Sequence, residues 1–118
     1  MALASLSLVL IGATARAAAN DLEIYIGADL YTQCSAGPAD ADFQTRQARC
    51  FGYVIGVSDA LQAQQGRGGA ASVCYPTTIA TAQVVAGVSA FLEAHPEKRQ
   101  FSAQDLVSEA LAAAFPCK

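Results

Sequence analysis

Apolar residues recur every three or four positions over most of this 118-residue chain, and that spacing predicts α-helices. The first predicted helix runs from about Asp21 to Thr32. Its apolar face consists of Leu22, Ile24, Tyr25, Ile26 and Leu30. We expect it to end before residues 35–38, where a glycine and a proline interrupt the helical pattern.

A second predicted helix follows, and either Asp40 or Asp42 can cap its first turn. Its apolar side consists of Phe43, Cys50, Val54, Val57 and Leu61. Gly52 and Gly56 lie four residues apart on another side, where each costs about 1 kcal/mol of helix propensity. We therefore expect another helix to pack closely against these glycines; the alternative is that they are tolerated at the surface.

Residues 62–69 are rich in glutamine and glycine, which predicts the end of the second helix and the start of an exposed, mobile loop. A glycine-rich stretch can also cradle phosphate. The phosphate-binding loop, however, needs a Gly-x-x-x-x-Gly-Lys-Ser/Thr order after a strand, and this stretch lacks both. A loop is the better interpretation.

Two further helices complete the pattern. The third is expected to begin near Pro76, with Thr77 or Thr78 as its cap, and to end at His95-Pro96. Its buried side is formed by Ile79, Val84, Val88, Phe91 and Leu92. The fourth begins at Ser102, which with Asp105 resembles a capping box, and Phe101 can pack on Leu106. Its apolar face is formed by Ala103, Leu106, Val107, Ala110, Leu111 and Ala114.

Four helices with short connections predict an all-α bundle, and a bundle discriminates among the three pairings open to four cysteines. If the first helix runs upward, Cys34 lies at the top, and Cys50 lies about two turns down the second helix. Cys74 then lies near the bottom with Cys117, at the end of a downward fourth helix. We therefore predict Cys34–Cys50 and Cys74–Cys117 disulfides.

The first 19 residues have the pattern of a secretory signal peptide. Residues 3–13 carry no charge, and Ala15–Ala19 offers two small-x-small cleavage patterns. About 11 apolar residues are too few to span a bilayer, for which roughly 20 are needed. We expect residues 1–19 to be removed and residues 20–118 to form a single domain in the periplasm, where disulfides form.

Charge limits the classes of partner. Loss of the leader removes Arg16 and changes the net charge from −3 to −4. An acidic domain without a basic stripe is a poor candidate for binding nucleic acid or an anionic membrane surface. We expect no nucleic-acid partner and no membrane contact after signal cleavage, and any protein partner should be basic or neutral.

Catalytic and metal chemistry have little support in the sequence. His95 is the single histidine, it precedes a proline at a helix end, and no serine or cysteine nucleophile motif accompanies it. Its expected role is to interact with the terminal carbonyls or close the helix. The cysteines lack metal-site spacing, and oxidation would remove them as ligands. We expect neither catalytic residues nor a metal or cofactor.

Four segments together carry a family resemblance: residues 50–59 (CFGYVIGVSD), 74–76 (CYP), 95–97 (HPE) and 110–117 (ALAAAFPC). In this order and spacing they resemble the Rap/Tai family of type VI secretion immunity proteins. The resemblance covers nearly the whole mature chain, including Cys34. It carries over structural residues, namely Cys50, Gly52, Tyr53, Gly56, Cys74, Pro76, Pro116 and Cys117.

The resemblance implies a small helical periplasmic protein, not an enzyme, that binds and occludes a peptidoglycan amidase effector. Members recognise different toxins through different surfaces, so it transfers no contact residue. The exposed loop at 62–72 is our candidate contact element, and the alternative is that it is a plain connection between two helices. With an adjacent carboxylate, it supplies four candidate contact residues, Asp59, Gln64, Gln65 and Arg67.

Two alternatives stay open from the sequence. A periplasmic acid-stress chaperone of the HdeA type is also helical, exported and disulfide-bonded, although two disulfides would resist its acid-induced opening. An exported helical domain with another role is the second. A residual apolar face on the fourth helix would also support a homodimer.

Overall fold

A computed structural model describes residues 24–118, and this part of the chain is all-α. The four helices are α1 (Gly27–Cys34), α2 (Phe43–Gly66), α3 (Thr81–Ala94) and α4 (Ala103–Ala114). A short 3-10 helix, Pro96–Lys98, connects α3 to α4. The predicted bundle of about four helices is confirmed. The expected signal peptide, and Leu22 of the first predicted helix, lie outside the described residues.

The core lies where all four helices meet, since each helix contacts the other three. The largest fully buried side chains are Leu30, Leu92, Leu106, Leu111, Val54, Val88, Val107 and Cys50. These residues come from all four elements and lie on the faces that the apolar spacing selects. The packing therefore follows from the periodicity of the sequence.

Both disulfides have the predicted pairing. Cys34 at the end of α1 is bonded to Cys50 in α2, and Cys74 in the α2–α3 loop is bonded to Cys117 after α4. The Cα atoms are 5.0 Å apart in each pair. The first disulfide links two consecutive helices, whereas the second ties the α2–α3 loop to the C-terminal segment.

The first helix begins later than predicted, at Gly27 rather than near Asp21. The backbone before it pairs with the segment that precedes α4: Ala103 N donates to Tyr25 O at 2.9 Å, and Gly27 N donates to Phe101 O at 2.9 Å. Ile26 is extended there and forms a bridge with Ser102, and Ile24 is 67 % exposed, so it does not lie on a buried face. The predicted end, before Ser35, is confirmed.

Asp40 and Asp42 do not cap α2 through their side chains as predicted. Asp42 occupies the N-cap position but makes no side-chain cap bond, and the Asp40 carboxylate accepts from Gly37 N at 2.8 Å. Both carboxylates face Arg46, 3.5 and 3.6 Å from its Nη1. The same guanidinium donates to Thr32 O in the last turn of α1. The acidic pair therefore supports a cation that caps the preceding helix.

The third helix begins at Thr81, so the prediction that Thr77 or Thr78 caps it is wrong. Pro76 starts a turn instead, closed by a hydrogen bond from Ile79 N to Pro76 O at 3.2 Å. The cap is supplied from inside the helix, because Gln83 Oε1 accepts from Ala80 N at 2.9 Å. Ile79 precedes the helix but still packs, half-buried, against the core.

The third helix ends at Ala94, before His95-Pro96 as predicted, but its terminal carbonyls are satisfied by an arginine. Arg99 Nε donates to Leu92 O at 2.8 Å, and its guanidinium lies 3.5 Å from the centre of the Tyr31 ring. The His95 side chain instead lies 3.1 Å from Glu97 through Nδ1. His95 therefore closes the helix through its backbone, whose N–H donates to Phe91 O at 3.1 Å, whereas the side-chain contact to the terminal carbonyls comes from Arg99.

The fourth helix begins at Ala103 with Ser102 in the N-cap position, as predicted, but the Ser102 side chain makes no cap bond. The Phe101 side chain is 54 % exposed. The apolar face of α4, which suggested a homodimer, contributes Ala103, Leu106, Val107, Ala110 and Leu111 to the core of the same chain.

Candidate partner-binding surface

A tight glycine turn ends α2 and starts the loop predicted to contact a partner. Gly68 N donates to Gln65 O at 3.2 Å, and Gly69 N donates to Gln64 O at 3.1 Å. This is the Schellman pattern, in which a residue with positive φ follows the helix. Gly68 is that residue, with φ 88°. Of the predicted loop, residues 62–66 are therefore helical, and the irregular segment starts at Arg67.

Gln65 spans the turn and holds the returning chain. Its Oε1 accepts from the backbone N–H groups of Ser72 at 2.9 Å and Val73 at 3.0 Å. Its Nε2 donates to Val73 O at 3.0 Å. One amide side chain thus satisfies three backbone groups seven and eight residues away, and Val73 is 3 % exposed beneath it.

The far end of the loop is attached to the C-terminal segment. Cys74 N donates to Phe115 O at 2.8 Å, beside the Cys74–Cys117 disulfide. The Tyr75 ring packs on the Phe115 ring with centroids 5.1 Å apart, and its hydroxyl lies 2.7 Å from the hydroxyl of the buried Ser58. Both ends of the loop are therefore fixed to the bundle.

Between these attachments, residues 67–72 form what we term the loop apex, and all six are exposed. The apex carries one cation, Arg67, and otherwise only small side chains. A surface of this kind exposes backbone groups and one charge, between two ends that are bonded to the bundle.

Three of the four candidate contact residues lie in the apex or directly before it. Gln64 and Arg67 are exposed there, but the Gln65 side chain is occupied by the loop backbone. Asp59 is also exposed, on α2, about 7.5 Å along the helix axis from Gln64. The structure therefore brings Gln64, Gln65 and Arg67 together, with Asp59 to one side.

Gly52 and Gly56 do not pack against another helix in the described part of the chain, so that prediction is wrong. A Cβ atom built on either glycine would meet nothing within 4 Å. The two glycines instead line an open groove of about 440 Å³ along α2. Its other lining residues are Tyr53, Val57, Ala60, Leu61, Gln64 and Gln104. The groove continues to the apex through Gln64, and the sequence pattern gave no signal for Gln104.

Two tyrosines pack together where the groove meets the N-terminal segment. The ring centroids of Tyr25 and Tyr53 are 5.0 Å apart. Burial, reinforced by the negative charge of Asp105, raises the pKa of Tyr53 above 10.0. Burial also raises the pKa of Tyr25, with a smaller contribution from Asp29. Both phenols should therefore lose their protons at a higher pH than a free tyrosine does.

We expect alkaline titration to reveal these two phenols. Because their pKa values are raised in the folded protein, they stabilise the fold fully below pH 10, and that stabilisation is lost as the pH rises through the folded values. Tyrosinate absorbance should show phenols titrating above 10.0 in native protein and at the ordinary value in denaturant. Tyr53→Phe should remove one high-pH titration; an unchanged native curve would contradict the assignment.

No other chemistry is concentrated in residues 24–118. The His95 ring packs on Phe91, with centroids 4.4 Å apart, and pairs with Glu97 at an exposed helix end. Within these residues no three His, Cys, Asp or Glu side chains form a group that could hold a metal ion. None of the helices there is long and apolar enough to cross a membrane.

Comparison with known families decides the relationship. Residues 26–117 match the Rap1a immunity proteins. The chain belongs to the Rap1a immunity family. No curated protein and no solved structure matches it.

In this Rap1a family member the matched region includes both disulfides, the groove and the loop apex. Immunity proteins bind effector proteins, so membership points to a protein as the partner. Family membership therefore favours a contact surface over a catalytic centre.

Proposed function

We propose that this Rap1a immunity protein acts in the periplasm, where it binds a peptidoglycan amidase effector of type VI secretion and occludes its active site. The observation that carries the proposal is the match to the Rap1a immunity proteins over residues 26–117. In this proposal the protein blocks the effector by binding alone, and it needs no catalytic residue or cofactor.

The fold supports the proposal because it joins a rigid scaffold to an exposed contact element. Two disulfides and a core shared by four helices hold the bundle. The loop apex, fixed at both ends, projects from it. A binder with a preformed contact surface loses less conformational entropy on association, which favours tight inhibition. The disulfides are also suited to an oxidising compartment.

Neutralisation of an effector tests the proposal directly. The effector to test is any small cysteine–histidine amidase that a neighbouring reading frame encodes, expressed with an export signal in a bacterial host. We expect it to lyse the host, and we expect co-expression of the full chain to restore growth. A chain without residues 1–19 should remain in the cytoplasm and fail to protect. Full amidase activity on peptidoglycan in the presence of excess purified protein would contradict the proposal.

The loop apex is tested by a matched pair of substitutions. Ala71→Arg places a large cation in the apex, whereas Ala94→Arg places it on an exposed alanine at the far end of α3, about 20 Å from the start of that helix. We expect Ala71→Arg to weaken effector binding at least tenfold and Ala94→Arg to leave it unchanged. Equal affinities, measured by calorimetry, would place the contact surface elsewhere.

A further inference from the structure

We infer that Gln65 is a positioning residue that holds the loop apex in its binding conformation before any partner is met. The inference rests on the proposed function for what binds, but the positioning itself is a property of the free protein. It also revises the expectation from the sequence that Gln65 contacts a partner.

The geometry of Gln65 carries the inference. Its side chain is partly buried and leaves α2 in the last turn, where it bonds both N–H groups of residues 72 and 73 and the carbonyl of Val73. Residues 67–71 lie between these two anchoring points and are exposed throughout. The side chain therefore closes the base of the apex as a bridge between its two ends.

The glycine turn needs this bridge. The positive φ of Gly68 reverses the chain, and a Cβ atom at Gly69 would lie 2.8 Å from Gln64 O, so the backbone packs closely there. Two glycines in succession have wide conformational freedom when the chain is unconstrained. The Gln65 bonds limit that freedom, and they do so without using any side chain of the apex itself.

Two substitutions at Gln65 remove different numbers of its hydrogen bonds, and a third substitution, at Gln62, is the control. Gln65→Ala removes all three hydrogen bonds. Gln65→Glu keeps an oxygen that can accept from Ser72 N and Val73 N but loses the donor to Val73 O. Gln62→Ala changes an exposed glutamine one turn earlier on the same helix, for which no side-chain bond is seen in the described residues.

Hydrogen exchange in the free protein tests the positioning alone. For Gln65→Ala we expect the Ser72 and Val73 amides to exchange about tenfold faster, since the net effect of one or two hydrogen bonds is of that size. Gln65→Glu should fall between Gln65→Ala and the parent protein, because its second carboxylate oxygen would face Val73 O, and Gln62→Ala should match the parent protein. Unchanged exchange of both amides in Gln65→Ala would overturn the inference.

Association kinetics with the amidase test the consequence. An apex that must be ordered during binding associates more slowly, so Gln65→Ala should lower the association rate constant about tenfold with little change in dissociation. A loss of folded protein would instead lower the signal amplitude at an unchanged rate constant. An unchanged association rate for Gln65→Ala would refute the role in binding. If the parent protein binds no amidase while the exchange results hold, the proposed function fails and the positioning role stands.

Discussion

Replacement of Cys74 and Cys117 together by alanine is expected to lower the free energy of unfolding by about 4 kcal/mol. The reason is the 43-residue separation of the two cysteines, because a long closed loop restricts the unfolded chain strongly in the chain-entropy description. In a domain of this size such a loss should lower the melting temperature by more than about 15 °C.

The matched control is the other disulfide. Cys34 and Cys50 are 16 residues apart, so the corresponding double alanine variant should lose about 3 kcal/mol. Chemical denaturation of the three proteins measures both differences. A smaller loss for the 43-residue pair than for the 16-residue pair would mean that loop length does not set the order.

The two variants should also differ in their effect on the contact surface. Cys74 lies at the end of the loop, next to the hydrogen bond from its own N–H to Phe115 O. Cys34 and Cys50 join α1 to α2, away from the apex. At a temperature where both variants are folded, loss of the Cys74–Cys117 disulfide should therefore weaken effector binding more than loss of the Cys34–Cys50 disulfide.

The helices and the disulfide pairing follow from the sequence because both depend on periodicity and element order. The buried residues Leu30, Val54, Val88 and Leu111 all lie on faces selected by apolar spacing. Once four helices alternate in direction, the cysteines are brought together in only one consistent way. These properties depend on many residues at once, so a wrong expectation at one position does not change the predicted helices or disulfides.

Helix starts were harder to predict because they depend on partners distant in the sequence. The start of α1 is set by backbone bonds to residues 99–103, more than 70 positions away. The acidic side chains before α2 are engaged by Arg46 instead of the helix N-terminus. Local patterns cannot show such competition. The sequence therefore predicts side-chain caps at Asp40, Asp42, Thr77 and Thr78 that do not form at the starts of α2 and α3.

The candidate surface was predicted only in part, for the same reason. The loop follows from the glycine content of the sequence, but it starts at Arg67 and not at Gln62, so Gln64 and Gln65 belong to the last turn of α2. The role of Gln65 was missed, since an exposed-looking glutamine gives no sign of bonds across a turn. One signal was present: Gly68, just past the end of the helical pattern, is typical of the turn that brings Ser72 and Val73 back to Gln65.

Replacement by alanine should destabilise the protein at Gly27 and stabilise it at Gly52. Gly27→Ala is expected to lower the free energy of unfolding by about 2 kcal/mol. Gly27 is buried at the start of α1. A Cβ atom there would overlap Leu106 Cδ1 and lie 3.0 Å from Arg99 Cα and 3.1 Å from Arg99 O. The Leu106 side chain can turn away, but the Arg99 backbone is held by its bond from Ala28 N, so the helix itself must shift.

Gly52→Ala is the matched comparison, because the new methyl group would meet nothing within 4 Å. An exposed position inside a 24-residue helix gains the full difference in helix propensity, so stability should rise by about 1 kcal/mol. Gly56→Ala should raise the stability by a similar amount, because a Cβ atom there also meets nothing within 4 Å. Thermal unfolding should show the Gly27 variant roughly 10 °C below the parent protein and the Gly52 variant a few degrees above it. A Gly52 variant less stable than the parent would indicate that this face of α2 is covered in solution, by a partner that approaches the helix backbone closely.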